Sequence, residues 1–125
     1  MAKIKIALIE DERDLAEIYS LKLKMDGIDA IVINDSATAI EVLKKEKPVL
    51  VLLDIMMPDI DGFSLFEQIK KEKDLGGIKI YIWSNLTQKK DKDKAAQLKV
   101  NGYLVKSDYT PASLSEKVKE LLKEK

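Results

Sequence analysis

The chain has 125 residues, 22 basic and 22 acidic side chains, and neither cysteine nor histidine. Its length suits one domain around one core, and the missing residue types exclude disulfides, Cys/His zinc sites, imidazole-based catalytic triads and a histidine switch near neutral pH. Lysines are interleaved with Glu and Asp, so no contiguous basic face is available to hold a phosphate backbone, and direct DNA binding is not expected.

The first apolar run, Ile4 to Ile9, is too short for a signal peptide, and no later segment is long enough to span a bilayer. A cytoplasmic protein with one domain over residues 1–125 is expected. Ile4 to Ile9 reads as a strand, and Leu15, Ile18, Leu21 and Met25 then share one helical face. A second strand is predicted over Ala30 to Ile33, followed by a helix carrying Ala37, Ile40 and Leu43. The third strand is Val49 to Leu53, and Leu65, Phe66 and Ile69 mark the helix after it. Ile78 to Trp83 is the fourth strand, Gln88 to Lys99 a weakly patterned helix, and Tyr103 to Val105 the fifth strand. Thr110 and Pro111 supply an N-cap and a first-turn proline for a last helix presenting Leu114, Val118, Leu121 and Leu122.

Strands one, three and four are apolar without alternation, as parallel strands covered on both faces are. Strict strand–helix alternation therefore predicts an α/β, doubly wound, five-stranded parallel sheet in the order 2-1-3-4-5. Parallel strands all end at one edge, where such sheets bind ligands. That edge collects Glu10, Asp11 and Glu12 after strand one, Asp54 after strand three, Ser84 and Asn85 after strand four and Lys106 after strand five.

Taken singly, each of these has an ordinary explanation. Glu10-Asp11-Glu12 suits a helix N-terminus, Asp54 a strand-end turn, Lys106 a solvated surface and Ser84 a loop or cap. Together they carry a sharper meaning. Carboxylates from two strand ends repel unless something cationic lies between them, and Mg²⁺ takes such hard oxygens together with waters and a phosphate oxygen. Lys106 and the Ser84 hydroxyl would then contact the phosphate, and a carboxylate is a competent phosphoryl acceptor.

Ile9-Glu10-Asp11-Glu12, Leu53-Asp54-Ile55-Met56-Met57-Pro58 through Gly62, Ser84-Asn85 and Gly102-Tyr103-Leu104-Val105-Lys106 resemble, in order and spacing, the receiver domain of bacterial response regulators. The resemblance covers the whole chain and implies the flavodoxin-like receiver fold. It implies that Asp54 accepts the phosphoryl group, Asp11 binds Mg²⁺ directly, Glu10 assists through water and Met56 adds its backbone carbonyl. Lys106 and Ser84 would contact the phosphate. Tyr103 would turn inward as Ser84 is drawn to it, repacking the face formed by the fourth helix, fifth strand and fifth helix. The implied partners are a sensor histidine kinase or phosphotransfer protein and a downstream effector protein, the chain being a monomer or a weak phosphorylation-dependent dimer. It would act in signalling, with self-catalysed phosphorylation and dephosphorylation rather than turnover of a separate substrate. Met56 and Leu86 would border the path of the hydrolytic water, and neither can orient it, so a long-lived phosphorylated form is expected.

Two positions depart from the family pattern. Asn85 stands where receivers generally carry a small residue, and Ser107 where they usually carry proline after a cis bond, which before serine would cost roughly 2.5–4 kcal/mol. Among competing functions, a flavin or nucleotide binder of similar fold is disfavoured by Glu10-Asp11-Glu12 in the phosphate-loop position, and an aspartate phosphohydrolase by Met56 where its second carboxylate belongs. The runner-up is a receiver-shaped binding module that docks a partner without being phosphorylated.

Overall fold

The computed structural model describes residues 4–58, 60–85 and 88–123. Strands β1 (Ile4–Ile9), β2 (Ile28–Ile33), β3 (Leu50–Leu53), β4 (Lys79–Ser84) and β5 (Gly102–Val105) form one sheet in the order β2-β1-β3-β4-β5, and every pairing is parallel. Helices α1 (Arg13–Met25), α2 (Ser36–Glu46), α3 (Gly62–Lys71), α4 (Lys89–Leu98) and α5 (Pro111–Lys123) connect and follow the strands. This is the predicted architecture, with strand limits shifted by one or two residues.

Alternate residues of each strand feed two separate cores. Ile6, Leu8, Leu50, Leu52, Tyr81 and Trp83 pack with Leu23 of α1 and Leu114 of α5. Ala7, Ile9, Val51, Leu53, Ile80 and Ile82 pack with Leu43 of α2, Phe66 of α3 and Ala95 of α4. All four β3 residues are buried, which explains why the central strand shows no polar alternation. Trp83 is fully buried, edge-on to the Tyr19 ring at 5.3 Å and tilted against Tyr109 at 6.0 Å.

Helix ends follow local chemistry. Asp35 and Asp61 accept from the N–H groups of Ala37 and Phe63 at 2.9 and 3.0 Å, capping α2 and α3. Thr110 Oγ1 accepts from the N–H of Ser113 at 3.1 Å and so caps α5, which begins at Pro111 as expected. Lys47 and Lys99 close α2 and α4 in the left-handed conformation.

The inward face of α1 differs from the sequence expectation. Ala16, Tyr19, Ser20 and Leu23 are buried and Leu15 packs half-buried against the same core as expected, whereas Ile18, Leu21 and Met25 are exposed. Both sets have helical spacing, but Ala16 and Ser20 let the helix axis approach the sheet closely, and the Ser20 hydroxyl bonds back to the Glu17 carbonyl at 3.1 Å. Weighting large apolar residues alone selects the wrong face. In α2, likewise, Ala39 and Leu43 are buried and Ala37 is exposed. Leu65, Phe66 and Ile69 of α3, and Leu114, Val118 and Leu121 of α5, point inward as predicted.

Gly62 fixes how the chain turns from β3 into α3. A Cβ there would overlap Ile55 Cα and lie 2.6 Å from the Asp54 carbonyl oxygen, both backbone atoms. The absent side chain lets the start of α3 lean on the loop that carries Asp54. Gly62→Ala should therefore destabilise the fold by about 1–3 kcal/mol, the usual cost of overpacking. Urea unfolding measures this, and a midpoint equal to the parent's would show that the close approach is dispensable.

Candidate functional site

Hydrogen bonds that continue the strand ladders place the first two carboxylates side by side. The Glu10 N–H donates to the Ile33 carbonyl at 2.9 Å and the Asp54 N–H to the Ile9 carbonyl at 3.0 Å. Asn34 then secures β1 from the β2 side, its Nδ2 donating to the Glu10 carbonyl at 2.8 Å. Asn34 reads in the sequence as an ordinary loop residue before a helix cap; its position just after a strand at the functional edge was the available signal.

Glu10 and Asp54 are 0% and 2% exposed, which would be prohibitive for two unpaired carboxylates. Lys106 resolves the conflict. From the far side of β4 and β3 its ammonium donates to Asp54 Oδ2 at 2.9 Å and to Glu10 Oε1. The remaining oxygens are also used: Asp54 Oδ1 accepts from the Met56 N–H at 2.8 Å and Glu10 Oε2 from the Glu12 N–H at 3.3 Å. Burial of the Glu10 carboxyl pushes its pKa up to about 7; Lys106 opposes the shift and neighbouring Asp54 adds to it. Burial works against the charge on Lys106, but its bonds to Glu10 and Asp54 prevail and hold its pKa above the ordinary lysine value.

Asp11, half-buried, completes an acidic cluster in which Glu10, Asp11 and Asp54 each offer an oxygen within 4.8 Å of the others. The N-cap of α1 is Glu12, and its side chain makes no capping hydrogen bond. Three hard-oxygen donors at this spacing suit a divalent cation such as Mg²⁺.

Ser84 ends β4 fully buried, opposite Val105 of β5. Tyr103 is half-buried and packs against the core beneath α4. Burial raises the pKa of its hydroxyl, partly offset by a hydrogen bond with Ser84. The Met56 side chain is 57% exposed. Leu86, and Asp59 within the run after Asp54, lie outside the described residues. No peptide bond among the described residues is cis, including that before Ser107. Asn85 is turned to another use, its Oδ1 accepting from the Ser107 N–H at 2.8 Å.

A doubly wound parallel sheet with a buried acidic cluster at the carboxyl ends of its strands, the edge where such sheets bind ligands, is an α/β domain whose candidate site could hold a metal ion. Residues 6–119 match the response regulator receiver domain family, and the chain belongs to that family. It is 32% identical over 123 residues to the probable transcriptional regulator ycf27 of Porphyridium aerugineum, covering 98% of this chain and 50% of that protein. The corresponding protein of Cyanophora paradoxa is 31% identical over 121 residues, covering 97% and 49%. The chain thus spans about half the length of these curated relatives. Among solved structures, the BeF3-activated N-terminal receiver domain of Klebsiella pneumoniae RstA aligns with a TM-score of 0.83 at 27% identity, over 96% of this chain and 99% of that one. Vibrio cholerae chemotaxis protein CheY4 aligns with a TM-score of 0.86 over 95% and 98%, and at 19% identity supports the fold alone. No helix among the described residues is long and apolar enough to cross a membrane.

The raised Glu10 pKa ties stability to pH in the metal-free protein. Between the ordinary value of 4.5 and about 7 the folded state holds a proton that the unfolded state has released. Stability therefore falls as pH rises through that window, and at about 1.4 kcal/mol per pKa unit the loss is a few kcal/mol at most. With EDTA present, the parent should lose stability relative to Glu10→Gln between about pH 5 and about pH 7.5. Parallel urea titrations would refute this if the difference between the two proteins stayed constant.

Proposed function

We propose that this receiver domain is a phospho-acceptor whose reactive group is Asp54. The observation that carries the reading is one ammonium, Lys106, bound to both Asp54 and Glu10 within a cluster of three carboxylates. A structural ion pair needs one carboxylate per lysine, whereas an excess of acid around a single lysine suits a site that takes up a cation, through which a phosphoryl group can be held.

In the transfer, an Asp54 carboxylate oxygen bonds to phosphorus as the donor bond breaks. With a phosphohistidine of a sensor kinase or phosphotransfer protein, the P–N bond breaks and the imidazole nitrogen keeps the electron pair and takes up a proton. With acetyl phosphate the P–O bond breaks and acetate departs. The product is an aspartyl acyl phosphate. Asp11, Asp54 and the Met56 carbonyl would hold Mg²⁺, with Glu10 assisting through water. The bound ion supplies positive charge that offsets the carboxylates and the incoming phosphoryl oxygens. Lys106 passes from the carboxylates to a phosphate oxygen, and Ser84 donates to another.

Output follows from Ser84. Its hydroxyl is linked to Tyr103, and Tyr103 lines a groove of about 350 Å³ with Ala95, Ala96, Val100 and Val105 between α4 and β5. Drawing Ser84 toward the phosphate releases Tyr103 to repack, shifting the balance between two forms of the α4–β5–α5 face that an effector protein reads. Docking without phosphorylation is the competing outcome.

Two measurements test the reading. Incubation with acetyl phosphate and Mg²⁺ should add one phosphoryl group to the parent and none to Asp54→Asn, read by intact mass; labelling of both alike removes the claim. Separately, saturating Mg²⁺ should raise the parent's melting temperature by linkage, by about 2.7 kcal/mol of stability at one hundred times Kd. Asp11→Asn should abolish that rise, and an undiminished rise would put the metal elsewhere.

A further inference from the structure

We propose that Asn85 is a positioning residue for Lys106, acting through the backbone N–H of Ser107. Lys106 lies beyond the last registered pair of the sheet, Ser84 with Val105, and opens a short 3-10 turn over Lys106–Asp108. Its ammonium must reach Asp54 across the end of β4, and Glu10 across the ends of both β4 and β3. A four-carbon stem with free rotation delivers its charge accurately only if its backbone is fixed. β5 is a four-residue edge strand and gives that backbone little support.

Cross-links from a neighbouring helix and loop supply it. The Tyr19 hydroxyl donates to the Tyr109 carbonyl at 3.1 Å on the α1 side. On the β4 side, Asn85 Oδ1 accepts from the Ser107 N–H at 2.8 Å, one residue after Lys106. An N–H only donates, so the amide oxygen faces Ser107 and the Asn85 NH₂ faces elsewhere. The bond needs an asparagine oxygen at one end and a residue other than proline at the other, since proline has no N–H. The two departures from the receiver pattern are thus the two halves of one contact. Because Asn85 directly follows Ser84, the same bond couples the backbones that carry the hydroxyl and the ammonium.

The test compares the parent with Asn85→Ala, Ser107→Pro and the double variant, in two arms. The first needs no phosphorylation: NMR of the Lys106 ammonium in the resting protein. Each single substitution should shift or broaden that signal, Asn85→Ala should also move the Ser107 amide upfield, and the double variant should go no further than the larger single effect. The second arm rests on the phospho-acceptor reading. Each single variant should lower the maximal rate of labelling by acetyl phosphate roughly two- to tenfold, the range set by loss of one neutral hydrogen bond, with the half-saturating concentration unchanged. An unchanged Lys106 signal in Asn85→Ala, or effects that add in the double variant, overturns the proposal. If the Lys106 signal responds as expected but the parent takes no phosphate, Asn85 keeps its positioning role and the phospho-acceptor reading fails instead.

Discussion

Two carboxylates buried side by side at the ends of adjacent strands are the constraint around which this molecule is organised. Glu10 and Asp54 are brought together by the same backbone ladder that holds β1 between β2 and β3, so their repulsion cannot be relieved without opening the sheet. Lys106 supplies the compensating charge from across the sheet edge, and the surrounding N–H groups of Glu12 and Met56 saturate the remaining oxygens. A buried ion pair of this kind adds little net stability, and removing one partner costs far more than the pair contributes. The arrangement is better understood as an electrostatic imbalance, three acids around one base, of a kind that could accommodate a cation.

Much of this was legible in the sequence because the fold converts chain order into spatial adjacency. Once Val49 to Leu53 reads as a fully buried parallel strand, Asp54 must emerge at the ligand-binding edge, and the same reasoning delivers Glu10, Asp11, Ser84 and Lys106. Strict alternation of strands and helices selects a doubly wound sheet, and the order 2-1-3-4-5, which five strands fit and the receiver resemblance implies, is the one observed. What failed was finer. The Ile18–Leu21–Met25 stripe of α1 looks like a core face by volume but points outward, because Ala16 and Ser20, small enough for the helix to sit close to the sheet, carry little weight in a volume-weighted pattern.

Other features had no one-dimensional signature. The grip of Asn34 on Glu10 and of Asn85 on Ser107 depends on which loops meet, and an asparagine in a loop looks alike whether its amide is solvated or engaged. Gly62 was visible as part of a turn, but its actual role, clearance over Ile55 Cα and the Asp54 carbonyl, is a matter of backbone approach. Asn85 and Ser107 stand in the sequence as two unconnected exceptions to the family pattern. Only the fold makes them a pair.

Trp83 gives the molecule an optical property. It is the chain's single tryptophan, sealed from water between the ring of Tyr19 on α1 and that of Tyr109, just past the Lys106 turn. Its indole Nε1 finds no hydrogen-bond partner among the described residues, and its backbone runs directly into Ser84. An indole so enclosed emits in the blue, free of contributions from any second tryptophan. Any displacement of the hydroxyl-bearing strand end against the lysine-bearing turn changes the ring geometry around it. The fluorescence of the unmodified protein should therefore report on the loops that carry Ser84 and Lys106.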